Sequence, residues 1–194
     1  METKLLSNIL AYLNQTVYKS LILFVSGFLG FVPFSEVFGQ SPEIFITPGT
    51  GIVFTVPAGV TSIKVESWGG GGGGGSIVSR NRAGGGGGAY ASSFVTVIPG
   101  NQYSVAIGAG GATGVAGGNT SFNGTSVVAA GGGSTTTVAG GLGGPAGLPS
   151  VGTIKFSGGN GGLSSDKNGD GGGGGGGSGL STANGTVGVL TNKS

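Results

Sequence analysis

Glycine in this chain comes in unbroken runs, at Gly69 to Gly75, Gly84 to Gly88, Gly131 to Gly133 and Gly171 to Gly177. A run of that length fits neither a helix interior nor a strand interior, where each glycine forfeits side-chain packing and costs backbone entropy. Collagen is excluded because the glycines are not placed at every third residue throughout. Two readings remain open. The runs are either mobile loops between strands, or extended three-residue-per-turn helices of the polyglycine II kind, packed side by side. Such helices make no internal hydrogen bonds, so their N–H and C=O groups must pair with neighbouring segments. Only glycine, without a Cβ, lets backbones approach that closely.

Composition favours a chain that folds or assembles over one that stays solvated. Of 194 residues 50 are glycine, yet 37% are hydrophobic and only 7% charged, whereas disordered chains combine low hydrophobicity with high charge. The formal net charge of +2 arises from eight basic and six acidic residues. These are scattered, so the basic stripe needed for nucleic acid is missing and no nucleic-acid partner is expected. Cysteine and histidine are both absent. That removes disulfides, thiolate metal sites, and the commonest general base. A non-enzymatic protein without a cofactor is expected.

The N-terminus reads as an export signal. Lys4 and Lys19 precede an apolar run from Leu21 to Val32, which stops at Pro33, Ser35 and Glu36. A run this short suits a signal-peptide core and falls well below the ~20 residues a membrane span needs. Cleavage after Gly39 is expected, with Gln40 as the alternative, giving a signal helix in residues 1–39 and a glycine-rich β domain in 40–194. The other reading is an uncleaved N-terminal anchor, with membrane contact only through that segment. A signal ending in Phe38-Gly39-Gln40 resembles those of Bacteroidetes-type Gram-negative bacteria. The expected location is therefore secreted or cell-surface.

The remaining sequence is all-β in its patterning, in the manner of a small β-sandwich. Strands are predicted at Ile44–Thr47, Ile52–Val56, Ser62–Trp68, Tyr90–Ile98 and Tyr103–Ile107, with a further strand-like stretch at Thr186–Leu190. In the third, Ile63 and Val65 alternate with Lys64 and Glu66, the period of a half-buried strand. Pro99-Gly100 is the central pair of a type II turn. No apolar i, i+3, i+4, i+7 pattern occurs after Gly39, and no repeat of 20 to 50 residues points to a solenoid.

Candidate sites are few. Asp166, Asn168, Asp170 and Gly171 match the first half of an EF-hand calcium loop, but position 12 is Gly177 where a bidentate Glu belongs. The competing reading is a polar turn. Arg80, Asn81 and Arg82, between two glycine runs, form either a contact surface for carboxylate or phosphate groups or a solubilising loop tip. Trp68 and Tyr103 would stack on sugars if exposed, but strand positions favour packing. Gly-rich phosphate loops are excluded, because no G-x-x-x-x-G-K-[ST] occurs and no strand–glycine–helix context surrounds the runs.

The order of these motifs resembles the bacterial and phage glycine-rich domain family. The resemblance rests on Phe54-Thr55-Val56-Pro57-Ala58-Gly59-Val60, Val65-Glu66-Ser67-Trp68-Gly69-Gly70, Gly84–Tyr90, Val97–Tyr103, Val105–Gly111, Gly118–Phe122 and Ala129–Gly133. It covers roughly residues 45–190 and implies a secreted or surface-exposed β-rich domain, in some members part of a tail tip or larger surface protein, with no known activity. The function expected is structural or adhesive, by contact with a surface polymer, a glycan or copies of itself. A carbohydrate- or ice-binding module is the alternative, the latter resting on the Ser134–Thr137 cluster.

Overall fold

The computed structural model describes residues 42–76, 83–135, 138–164, 173 and 175–189. Compactness divides the chain at Glu43/Ile44, and every strand lies in the second unit. Among the described residues there are seven: β1 (Gly49–Thr55), β2 (Ser62–Trp68), β3 (Tyr90–Thr96), β4 (Gln102–Ile107), β5 (Thr120–Phe122), β6 (Val127–Ala129) and β7 (Ile154–Phe156). They form two antiparallel sheets, β1-β4-β5-β6 and β2-β3-β7, and the described residues contain no helix. The sheets face each other across Ala91, Val105, Phe122, Val127 and Ala129, with Ile63, Val65, Val95, Phe54 and Tyr103 packed around them. Phe54 meets Phe122 edge-on at 6.1 Å, and Tyr103 stacks on Phe122 at 5.6 Å. A second cluster, Val56, Val60 and Val97, seals the end of the sandwich at the turns.

The turns follow the sequence chemistry. Asn101 N–H donates to Ile98 O at 3.1 Å around Pro99-Gly100, and Gly100 takes a φ of +78°. Gly59, at +80°, does the same in Pro57–Val60. Both are type II geometry, in which the third residue needs positive φ. Two strand expectations fail. Ile44–Thr47 is not a strand; the strand begins past Pro48, because the ladder pairs Gly49 with Ile107 and Ile52 with Val105 across an irregularity. Thr186–Val189 belongs to no sheet. The short strands β5, β6 and β7 escape sequence reading, since three residues cannot display an alternation.

Past the sandwich, the strands run straight on into extended glycine segments. We label these g1 (69–75), g2 (83–89), g3 (108–114), g4 (115–118), g5 (130–135), g6 (138–144), g7 (157–163), g8 (175–180) and g9 (183–189). Their bonding repeats every third residue. Gly69, Gly72 and Gly75 of g1 donate to Ala89, Gly86 and Ala83 of g2, whereas Gly70 and Gly73 donate to Gly118 and Val115 of g4. A period of three, with the bonds running between segments, is that of packed polyglycine II helices. The mobile-loop reading is thereby set aside for the described segments.

Those bonds also fix the lattice. One row is g4–g5–g6, joined by Gly117 N–H to Gly132 O (2.9 Å) and Gly133 N–H to Leu142 O (2.7 Å). The next row is g3–g1–g2–g7, joined through Gly111 to Gly71, Gly72 to Gly86 and Gly87 to Gly159. The third is g8–g9, joined by Gly177 N–H to Thr186 O at 2.8 Å. Each row nests in the grooves of its neighbour, so g2 touches g1 and g7 in its own row, g5 and g6 on one side and g8 on the other. Packing this tight leaves no room for a side chain at many interior positions: a Cβ on Gly86 would land on the Leu142 carbonyl, and one on Gly158 on the Gly87 carbonyl, and the buried non-glycine residues at the segment ends are the small Ala83, Ala89 and Ala130.

Candidate functional site

Side chains excluded from the glycine interior must face outward, and the sheets sort theirs by period two. On the β2-β3-β7 sheet, the register pairs Lys64 with Phe94, Glu66 with Ser92, Trp68 with Tyr90, Ser92 with Ile154 and Tyr90 with Phe156. All of these lie on the face turned away from the core. Three aromatic rings thus form a row across the strands, Trp68 to Tyr90 at 5.0 Å and Tyr90 to Phe156 at 6.4 Å. Segment g8 runs close beside Tyr90, where a Cβ on Gly179 would sit 2.8 Å from Tyr90 N and 3.2 Å from its Cβ. Tyr90 is buried, while Trp68 (47% exposed), Phe94 (75%) and Ile154 (47%) remain open to solvent.

Polar groups lie between the open rings. Tyr90 Oη donates to Glu66 Oε1 at 2.5 Å, and Lys64 Nζ lies 3.2 Å from the same oxygen. The Tyr90 hydrogen bond, aided by Lys64 and opposed by partial burial, holds the Glu66 carboxyl below its ordinary value. Burial, reinforced by the negative charge of Glu66, pushes the Tyr90 phenol up. Lys64 and Phe94 face each other four strand positions from the Trp68–Tyr90 pair, about 13 Å along the sheet. The face therefore carries two exposed rings flanking one ion pair of zero net charge. That arrangement offers flat apolar contact with hydrogen-bonding groups beside it.

The bundle presents a second kind of surface. At Gly140-Gly141-Leu142 and Gly161-Gly162-Leu163 the third residue points out. Leu142 (71% exposed) and Leu163 (57%) project this way, and Val187 and Val189 are exposed along g9. Asparagine side chains tie neighbouring segments together: Asn119 Oδ1 accepts from Gly131 N–H, Asn160 Oδ1 from Gly143 N–H and Asn184 Oδ1 from Ser157 N–H, each at 2.9 Å.

Of the residues singled out from sequence, Arg80, Asn81, Arg82, Asp166, Asn168 and Asp170 lie outside the described residues, as do residues 1–41, which include the signal segment. The segment carrying the arginines is bracketed by Gly75 and Ala83, joined by a 2.9 Å hydrogen bond. Tyr103 is a packing residue: its ring lies against the core and its hydroxyl accepts from Ile98 N–H at 3.2 Å. Trp68 packs on the sheet surface and stays half open. Sequence reasoning misses Phe94 and Ile154. Phe94 is legible as the cross-strand partner of Lys64 once β2 and β3 are paired as an antiparallel ladder; Ile154 is not, because β7 is too short. Among the described residues no group of three or more His, Cys, Asp or Glu side chains gathers, and no helix is long and apolar enough to cross a membrane.

Neither the curated proteins nor the solved structures yield a match to this chain. The sequence profile of the glycine-rich domain matches residues 46–193, which takes in both sheets and the whole bundle. The chain belongs to the glycine-rich domain family.

Proposed function

We propose that this protein is an exported, non-enzymatic surface protein that acts by adhesive contact. The observation that carries the reading is the placement of apolar side chains on a backbone-locked scaffold, with Trp68, Phe94 and Ile154 open on one sheet face and Leu142, Leu163, Val187 and Val189 open on the bundle. Exposed apolar surface concentrated in this way marks interaction sites. The uncharged apolar run from Leu21 to Val32 supports export from a Gram-negative cell, and the missing histidine and cysteine argue against catalysis. Cell fractionation followed by N-terminal sequencing tests export; a full-length chain with Met1 in the cytoplasm refutes it, and an intact chain in the membrane fraction selects the anchored form. Adhesion is tested by attachment of cells displaying the chain to polymer-coated surfaces, where Trp68→Ala with Phe94→Ala should lower attachment at least several-fold.

A second reading, a carbohydrate-binding module, is favoured by the exposed Trp68 and Phe94 rings with Lys64 and Glu66 between them. Sugar rings present an apolar face and hydroxyls together, and a neutral ligand suits a face of zero net charge. Binding on a glycan array that survives Leu142→Ser but not Trp68→Ala would select this reading. The calcium loop at Asp166, Asn168 and Asp170 is a separate proposal, checked by melting with and without Ca²⁺; an unchanged Tm removes it. The Arg80, Asn81 and Arg82 contact surface is checked by charge-neutral substitution in the attachment assay.

A further inference from the structure

Among the described residues, the lattice has one unfilled position beside its most enclosed segment. In g2, Gly84 and Gly87 donate to g7 (Gly162 and Gly159), and Gly86 and Ala89 donate to g5 (Gly133 and Ala130). The carbonyls of Ala83, Gly86 and Ala89 accept from g1, those of Gly84 and Gly87 from g6, and those of Gly85 and Gly88 from g8. Six directions thus radiate from g2, alternately donor and acceptor, and five of them end on a neighbour. The sixth belongs to the N–H groups of Gly85 and Gly88, which the three-residue period aims between g1 and g8. Both residues are buried, and no described residue accepts from either N–H.

The walls of that position are open. Gly71 of g1 and Gly175 of g8 are exposed. A Cβ on Gly71 would come no closer than 3.7 Å to Gly86 O, and one on Gly175 no closer than 3.9 Å to Gly85 O. Glycines that face a filled position behave differently, since a Cβ on Gly70, Gly72 or Gly87 would overlap a neighbouring carbonyl. The trough is therefore a lattice site with a floor of two buried donors spaced by one helical turn, about 9 Å.

The geometry points to this trough as a binding site for an extended, glycine-rich strand of another polypeptide. Such a strand in the three-fold conformation offers a carbonyl every three residues, at the spacing of the Gly85 and Gly88 donors. Its residues facing g1 and g2 must be glycine, as at Gly72 and Gly86 of the bundle interior, where a Cβ would overlap a neighbouring carbonyl, whereas the outward third position accepts any side chain. The ligand is thus of the form Gly-Gly-x repeated, recognised through backbone groups. This site lies apart from the aromatic face, so its failure leaves the adhesive reading untouched.

The test uses the full chain, isotope-labelled for amide detection, titrated with a nonapeptide of three Gly-Gly-Ser repeats and with an Ala-Ala-Ser control. Without peptide, Gly85 and Gly88 amides should exchange faster than those of Gly84 and Gly87. The glycine peptide should slow their exchange about tenfold or more, and the control should not. Gly71→Val and Gly175→Val should fill the trough and weaken peptide binding about tenfold while preserving the melting temperature. Equal protection of all four amides in the free chain overturns the proposal, as does equal response to both peptides. Unchanged binding by the valine variants also overturns it. Protection that rises with the protein's own concentration, in the absence of peptide, overturns the foreign strand in favour of a second copy.

Discussion

Two glycines with similar sequence surroundings have opposite roles in this molecule. Gly86 faces g6, and a Cβ there would overlap the Leu142 carbonyl; Gly110 faces solvent, with its nearest neighbour Gly71 O 3.9 Å from the Cβ position. Neither has a positive φ. Gly86→Ala must push two backbones apart and is expected to cost about 3 kcal/mol or more. Gly110→Ala should stabilise by about 0.4–1 kcal/mol, because alanine restricts the unfolded chain without straining the folded one. Urea denaturation of the two variants checks the contrast. If both shift the midpoint equally and downward, the lattice assignment is wrong. No propensity scale separates these positions, since what distinguishes them is a carbonyl brought in from a segment far along the chain.

At the scale of elements, the β2–β3 ladder and its Glu66–Tyr90 bond are the best place to read pH. The Glu66 carboxyl is lowered from 4.5, so its contribution is complete above the ordinary carboxylate range and is lost as pH falls through the lowered value. Tyr90 is raised from 10.0, so its contribution is complete below that value and is lost as pH rises through the raised one. Tm should therefore hold level between about pH 5 and pH 9 and fall on either side. Tyr90→Phe should remove this part of the alkaline fall and move the acid fall to higher pH; a variant whose Tm profile parallels the parent at both ends would dismiss the coupling. Much of this element was legible in the sequence. Ile63 and Val65 against Lys64 and Glu66 mark the faces of β2, and Pro99-Gly100 marks the turn. The start of β1 was not legible, because Ile44–Thr47 has strand composition and only the Gly49–Ile107 pairing shows where the ladder begins. The candidate site was half legible: Trp68 stands out, but that it stays half open beside a buried Tyr90 follows only from the folded arrangement. The glycine segments themselves carry a readable sign, namely Gly140-Gly141-Leu142-Gly143-Gly144-Pro145 and Gly158-Gly159-Asn160-Gly161-Gly162-Leu163. A non-glycine residue every third position is what a three-fold helix with one free face produces.

The second unit as a whole is two architectures on one set of segments. β2 continues into g1, β6 into g5 and β7 into g7, and g2 leads into β3, so neither half can be undone without pulling on the other. A single cooperative unfolding transition is expected, seen alike by Trp68 fluorescence and by exchange of the g2 amides. The two halves nevertheless enclose different matter. The sandwich encloses hydrocarbon, whereas the bundle encloses peptide groups bonded to one another. Hydrating apolar surface raises the heat capacity on unfolding, and hydrating polar surface lowers it. Calorimetry should accordingly give a heat-capacity increment per residue below the usual ~12–15 cal/mol/K. A small increment flattens the curve of stability against temperature, so the glycine lattice would keep this protein nearly as stable in the cold as at its optimum.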